Sequence, residues 1–239
     1  MNARAGAALV GLLLHAGAGL AHDLITVEAA ERYLANASEW SRVIASAGPA
    51  ARRAEAHCRM GGMFDEIRDL LNRDIAVHGE PQGVPTNLLI GELERIGTPL
   101  EYSERKRRFL PPVAHFSKCL ELQPGGRHTG EAMSGLLRGN FYESFEENPL
   151  EAAQTWDDLR EQIEIARQFL SRHSDHPDRE EIEFIHAILL TRAARSAPDA
   201  QMRLESAAAA RVAADAFESR YPDSLRAAAM PLLREDLPR

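Results

Sequence analysis

His57-Cys58-Arg59-Met60-Gly61-Gly62-Met63 gathers an imidazole, a thiol and two thioethers into seven residues. Soft sulfur ligands select Cu(I), and imidazole nitrogen also suits copper. On a continuous helix Met60 and Met63 share a face, with His57 or Cys58 beside them. The same methionines lie on an apolar stripe that runs on to Phe64 and Ile67, so core packing is the competing reading. His115 and Cys119 stand one helical turn apart and could join the cluster. A Cys58 held in a disulfide, however, is no longer available as a thiolate ligand.

Two other places offer donors. If a leader is removed after Ala21, His22 becomes the first residue, and its free amine and ring nitrogen form a chelating pair. That arrangement resembles the histidine brace of several exported copper proteins. The segment His173-Ser174-Asp175-His176-Pro177-Asp178 sets two imidazoles and two carboxylates close together, with His186 on the next helix as a third imidazole, a set that suits zinc or another divalent ion. Its competing reading is a polar turn between helices in which Asp178 serves as a cap. Copper is the cofactor to expect if there is one, and otherwise none is indicated. No G-x-S-x-G, H-E-x-x-H, C-x-x-C or phosphate-binding glycine loop occurs, so no catalytic residue is nominated.

The start of the chain reads as a signal peptide over residues 1–21: Arg4, an apolar run from Ala5 to Leu14, then small residues up to Ala21. The run is too short and too broken by glycine for a membrane span, which needs roughly 20 apolar residues. Cleavage fits after Ala21 or, at a second A-x-A site, after Ala18, so the mature chain would begin at His22 or Gly19. A periplasmic or secreted protein with no transmembrane segment after cleavage follows. In that compartment Cys58 and Cys119 are expected to pair. Closing a loop of 61 residues stabilises a fold by about 4 kcal/mol on the chain-entropy account.

These residues must be carried by helices, because helical periodicity dominates and no segment alternates cleanly as a strand. Thr26 caps a first helix with Ala30, Tyr33, Leu34, Ala37, Trp40 and Ile44 on one stripe, ended by Gly48. A second helix runs from Pro49 to about Val77, with a kink or break expected at Gly61-Gly62. Shorter helices follow over 87–96, from Pro99 behind a Thr98-Pro-Leu-Glu101 capping box, over 112–122, and near 131–137. Phe141, Tyr142 and Phe145 then supply three aromatics, read as core or as a stacking box for a ligand. The segment from 22 to 147 forms an irregular helical region. From 148 to 239 four regular helices are expected, with caps at Asn148-Pro-Leu-Glu151 and Asp178-Arg-Glu-Glu181 and a third helix after Ala197-Pro198-Asp199.

Within that second region Ala166 to Arg172, leading to His176-Pro177-Asp178, echoes Ala213 to Arg220, leading to Tyr221-Pro222-Asp223, and the two phenylalanines are 48 residues apart. One hairpin cannot bury its own apolar stripe, so self-similarity on this scale suggests stacked hairpins. The small-residue helix from Ala207 to Ala216 with the turn Phe217-Glu-Ser-Arg-Tyr-Pro-Asp-Ser224 resembles the tetratricopeptide-like repeats of bacterial envelope proteins, over roughly residues 149 to 235. It departs from them in unit length and in the consensus spacing of the helix over 178–196. The resemblance implies an all-α chain of antiparallel hairpins, stacked as a tetratricopeptide-like solenoid or an irregular bundle, with a groove for a partner segment. A net charge of −8 argues against nucleic acid as that partner. An exported scaffold holding an envelope protein or peptide is therefore the leading expectation, and a periplasmic copper protein the alternative.

Overall fold

The computed structural model describes residues 25–144, 149–150 and 154–237. It is all-α apart from one two-residue β-hairpin, and the chain divides into two compact units at Gly139/Asn140, inside a helix. The leader and His22 lie outside the described residues.

In the first unit α1 (Val27–Ala45) starts at Thr26, whose hydroxyl accepts the Ala29 N–H at 3.2 Å. α2 (Ala50–His78) is the hub, packing against α1, the hairpin and α4 (Val113–Leu122). It ends where Gly79 takes a φ of 84°, a left-handed cap that a side chain would resist. Between them α3 (Val84–Arg95) packs on α1. The core joins Tyr33 and Ala37 of α1, Met60, Met63, Phe64, Ile67 and Leu71 of α2, and Leu89 and Leu93 of α3.

Two expectations fail here for tertiary reasons. α2 runs unbroken through Gly61-Gly62, because Gly61 is where the Phe116 ring of α4 closes on the helix: a Cβ there would sit 2.8 Å from the ring. On the ring's other side Gly135 of α5 (Thr129–Glu143) leaves similar room, with a hypothetical Cβ at 2.4 Å. No helix follows Pro99 either. Thr98 closes the preceding helix instead, its N–H reaching the Leu93 carbonyl at 2.9 Å around a left-handed Gly97. The chain then forms β1 (Tyr102–Ser103) and β2 (Arg108–Phe109), antiparallel with Tyr102 opposite Phe109. Asn72 of α2 fixes this hairpin by bonding both the N–H and the carbonyl of Phe109, at 2.7 and 2.9 Å.

The second unit contains α6 (Trp156–Arg172), α7 (Arg179–Ser196), α8 (Ala200–Arg220), a 3-10 turn (Leu225–Ala229) and α9 (Met230–Glu235). α7 packs against both α6 and α8, and α8 also against α9. Sandwiched in this way, α7 is buried nearly all round, from Ile182 to Ala194. α6 starts later than the Asn148–Glu151 cap would place it, because Thr155 and Asp158 form a reciprocal capping box. Leu150 lies in a turn outside the helix. Asp178 stands at the start of α7 but makes no side-chain cap bond, unlike Asp199, which accepts the Met202 N–H at 2.7 Å to start α8.

α6 buries Leu159, Gln162, Ala166 and Phe169, whereas α8 buries Ala207, Ala210, Ala214 and Phe217. Every position is displaced by the same 48 residues. The displacement continues past the helices: Ile182, Ile185 and Leu189 of α7 correspond to Met230, Leu233 and Leu237, and all six are buried. At this offset His173, and not His176, stands where Tyr221 stands.

Candidate functional site

The residues proposed for soft-metal chemistry separate in space. Cys58 and Cys119 form a disulfide with Cα atoms 5.4 Å apart, and no free cysteine remains. Both thiols are thereby removed from metal ligation. Met60 and Met63 point into the core of the first unit, at 0% and 6% exposure.

His57 does find a partner, on α4. Its Nδ1 lies 3.1 Å from Nδ1 of His115, with the rings tilted by 46°. The Phe64 and His115 rings pack at close to a right angle, with centroids 5.6 Å apart. The disulfide explains why the two imidazoles meet: Cys58 follows His57 in α2, Cys119 lies one turn beyond His115 in α4, and the covalent bridge holds these helices together. Burial pushes the His115 imidazole down to about 4, with proximity to His57 adding to the effect. His57 is also lowered, by burial first and then by the cations Lys118 and Arg53, while Glu121 acts in the opposite sense. At neutral pH both rings are uncharged, with ring nitrogens available as acceptors. Lys118 is itself held by Glu121, Nζ lying 2.7 and 2.8 Å from the two carboxylate oxygens.

The donors of the α6–α7 turn do not gather. His173 and His176 both pack on the Phe169 ring, at 5.4 and 5.0 Å, with their own ring centroids 6.5 Å apart. Nδ1 of His176 accepts the Asp178 N–H at 3.2 Å. Asp175 is exposed. His186 is half-buried in α7, and desolvation pushes it down to about 4. Among the described residues no three His, Cys, Asp or Glu side chains converge as a metal site.

The aromatic segment is structural where it is described. Phe141 is fully buried beneath the Arg192 guanidinium, 5.1 Å away. Tyr142 donates to Glu181 at 2.6 Å, and burial pushes its phenol upward. Phe145 lies outside the described residues. Arg192, lowered to about 10 by burial, donates to Gln154 at 2.6 Å, to Ser144 at 3.1 Å and to the Pro149 carbonyl.

α8 carries a feature that the apolar stripe alone did not reveal. Leu204, Ala208, Val212 and Ala216 follow one another at i, i+4 spacing and all are exposed, Leu204 at 52% and Val212 at 69%. At the same offset of 48, α6 carries Trp156, Arg160, Glu164 and Gln168. Arg160 pairs there with Asp157, and Glu164 with Arg167 and Gln168. The α6 row thus carries two ion-paired charges, Arg160 and Glu164, between a half-buried Trp156 and Gln168, whereas its counterpart on α8 is apolar and exposed throughout. The sequence signal was the alanine run of α8, which makes the helix apolar on more sides than its buried face requires.

No family model, curated protein or solved structure matches the chain. Among the described residues no helix is long and apolar enough to cross a membrane.

Proposed function

We propose that this protein is an exported helical-repeat scaffold that holds a protein partner of the cell envelope, through the outer face of α8. The observation that carries this reading is the exposed apolar row Leu204–Ala208–Val212–Ala216, where the matching positions of α6 include the ion-paired Arg160 and Glu164. A solvent-facing helix ordinarily keeps polar residues on that side. The alanines let another backbone approach closely while Leu204 and Val212 supply apolar area, which fits a helix of the partner laid along α8. The matching burial pattern of α6 and α8 supports two tandem hairpins of tetratricopeptide-like character. Export is supported by the leader-like order of residues 1–21 and by the disulfide, a bond that persists in oxidising compartments.

A photo-crosslinking amino acid placed at Val212 in intact cells tests the reading. It should give a discrete adduct with a different envelope protein, absent when the probe replaces Arg160 and abolished by Leu204→Glu. An adduct with a second copy of the chain would make the row a self-association surface and overturn the reading, as would no adduct at all. N-terminal sequencing should find the chain beginning at His22 or Gly19 in an extracytoplasmic fraction; an intact Met1 in the cytosol rejects export.

A further inference from the structure

We propose that His57 and His115 form a binding site for a divalent transition-metal ion, Cu(II) in preference to the others. The proposal stands apart from partner binding, since it rests on the first unit only. Two nitrogens bound to one ion at about 2.0–2.1 Å, with the angle of a tetrahedral or square-planar site, lie about 2.9–3.4 Å apart. The Nδ1 atoms of His57 and His115 are 3.1 Å apart, already at that separation. His57 and His115 are both only half-buried, and water would fill the remaining coordination positions. With both thiols consumed in the disulfide the donors are nitrogen alone, and for such donors the Irving–Williams order places Cu(II) above Ni(II) and Zn(II).

The two helices that carry the imidazoles are joined before any ion arrives. The bridge between Cys58 and Cys119 clamps α2 to α4 beside both rings, and Phe64 fixes the plane of His115. Binding is then left to turn the two rings, so that lone pairs now aligned along the hydrogen bond meet at the ion, without having to bring the helices together. In the metal-free pair one Nδ1 donates its proton to the other. An ion needs both Nδ1 lone pairs, so the shared proton passes through solvent to Nε2 of the same ring. Each imidazole stays neutral, no proton is released overall, and no electron is transferred. The opposing influence is the positive charge of Lys118 and Arg53, and the Glu121 carboxylate held by Lys118 offsets part of it.

The test titrates Cu(II) into the mature exported protein without reductant, so that the disulfide remains closed, in competition with a chelator of known affinity. One ion per chain should bind, with imidazole-nitrogen couplings in its electron paramagnetic resonance spectrum. His57→Gln and His115→Gln should each weaken binding at least ~10-fold. His22→Ala and His173→Gln should leave this equivalent in place, and Lys118→Gln should tighten it. Should a histidine variant fail to fold, substoichiometric Cu(II) added to the unsubstituted protein should broaden the ring resonances of His57 and His115 before those of other histidines. Binding abolished by His22→Ala but not by His57→Gln, broadening confined to other histidines, or no bound equivalent overturns the proposal.

Discussion

Phe169 and Phe217, 48 residues apart, end their helices in the same way: each carbonyl accepts the N–H of the residue four further on at 2.9 Å. That residue leaves the helix at φ −125° and ψ 60° in His173, and at φ −128° and ψ 58° in Tyr221. In both pairs the following ring tilts over the phenylalanine, at 5.4 and 5.0 Å. Both phenylalanines are fully buried. Truncation to alanine removes a fully buried ring at each place, so Phe169→Ala and Phe217→Ala should each destabilise the protein by about 3–5 kcal/mol. Chemical denaturation should show matching losses, with Ser219→Ala, at an exposed position, staying within about 0.5 kcal/mol of the parent. Glu218 is unsuited as a neutral control because it pairs with Arg234.

Gly61 and Gly135 hold the Phe116 ring between them and Gly62 faces open space. Gly61→Ala and Gly135→Ala should therefore destabilise by about 1–3 kcal/mol through overpacking. Gly62→Ala should be neutral or stabilising by up to about 1 kcal/mol, since alanine is the better helix former. Thermal melts of the three variants check the contrast, and equal effects at positions 61 and 62 would contradict the close approach.

The disulfide closes a loop of 61 residues. Replacing Cys58 and Cys119 together by alanine should lower stability by about 4 kcal/mol on the chain-entropy account. Equilibrium denaturation should find the parent brought to the variant's level by reductant; a parent indifferent to reductant would show that the bridge contributes little.

His186 is held neutral by burial, with its imidazole lowered to about 4 from the ordinary 6.5. The unfolded chain binds this proton below pH 6.5, whereas the folded chain resists it until about pH 4. The contribution to stability is thus complete above pH 6.5 and is lost as pH falls to about 4, amounting to at most about 3 kcal/mol. Denaturation midpoints measured across that interval should fall less steeply in His186→Leu than in the parent. Parallel slopes would refute the assignment.

Much of the architecture was legible in the sequence because it depends on local chemistry. Thr26 caps its helix through its own side chain, and the stripes of α1, α6 and α8 follow from periodicity. The 48-residue echo was visible as well, although the Pro-Asp motif suggested matching His176 to Tyr221. Backbone geometry aligns His173 there instead, since helix ends are set by hydrogen bonds and not by the residues that follow them.

The sequence by itself determined the helical class, the helical carriers of the cysteines and histidines, and the pairing of the only two cysteines. Tertiary structure decided the features that depend on neighbours distant in the chain. Gly61 sits in an intact helix because Phe116 packs on it, and Asn72 converts an expected helix into a hairpin by satisfying the backbone of Phe109. His57 meets His115 because a covalent bridge brings α2 against α4. The outer row of α8 is exposed because the helix is packed only along its other side. Periodicity can report that a residue is apolar, but which face of a helix is covered depends on packing with segments far away in sequence.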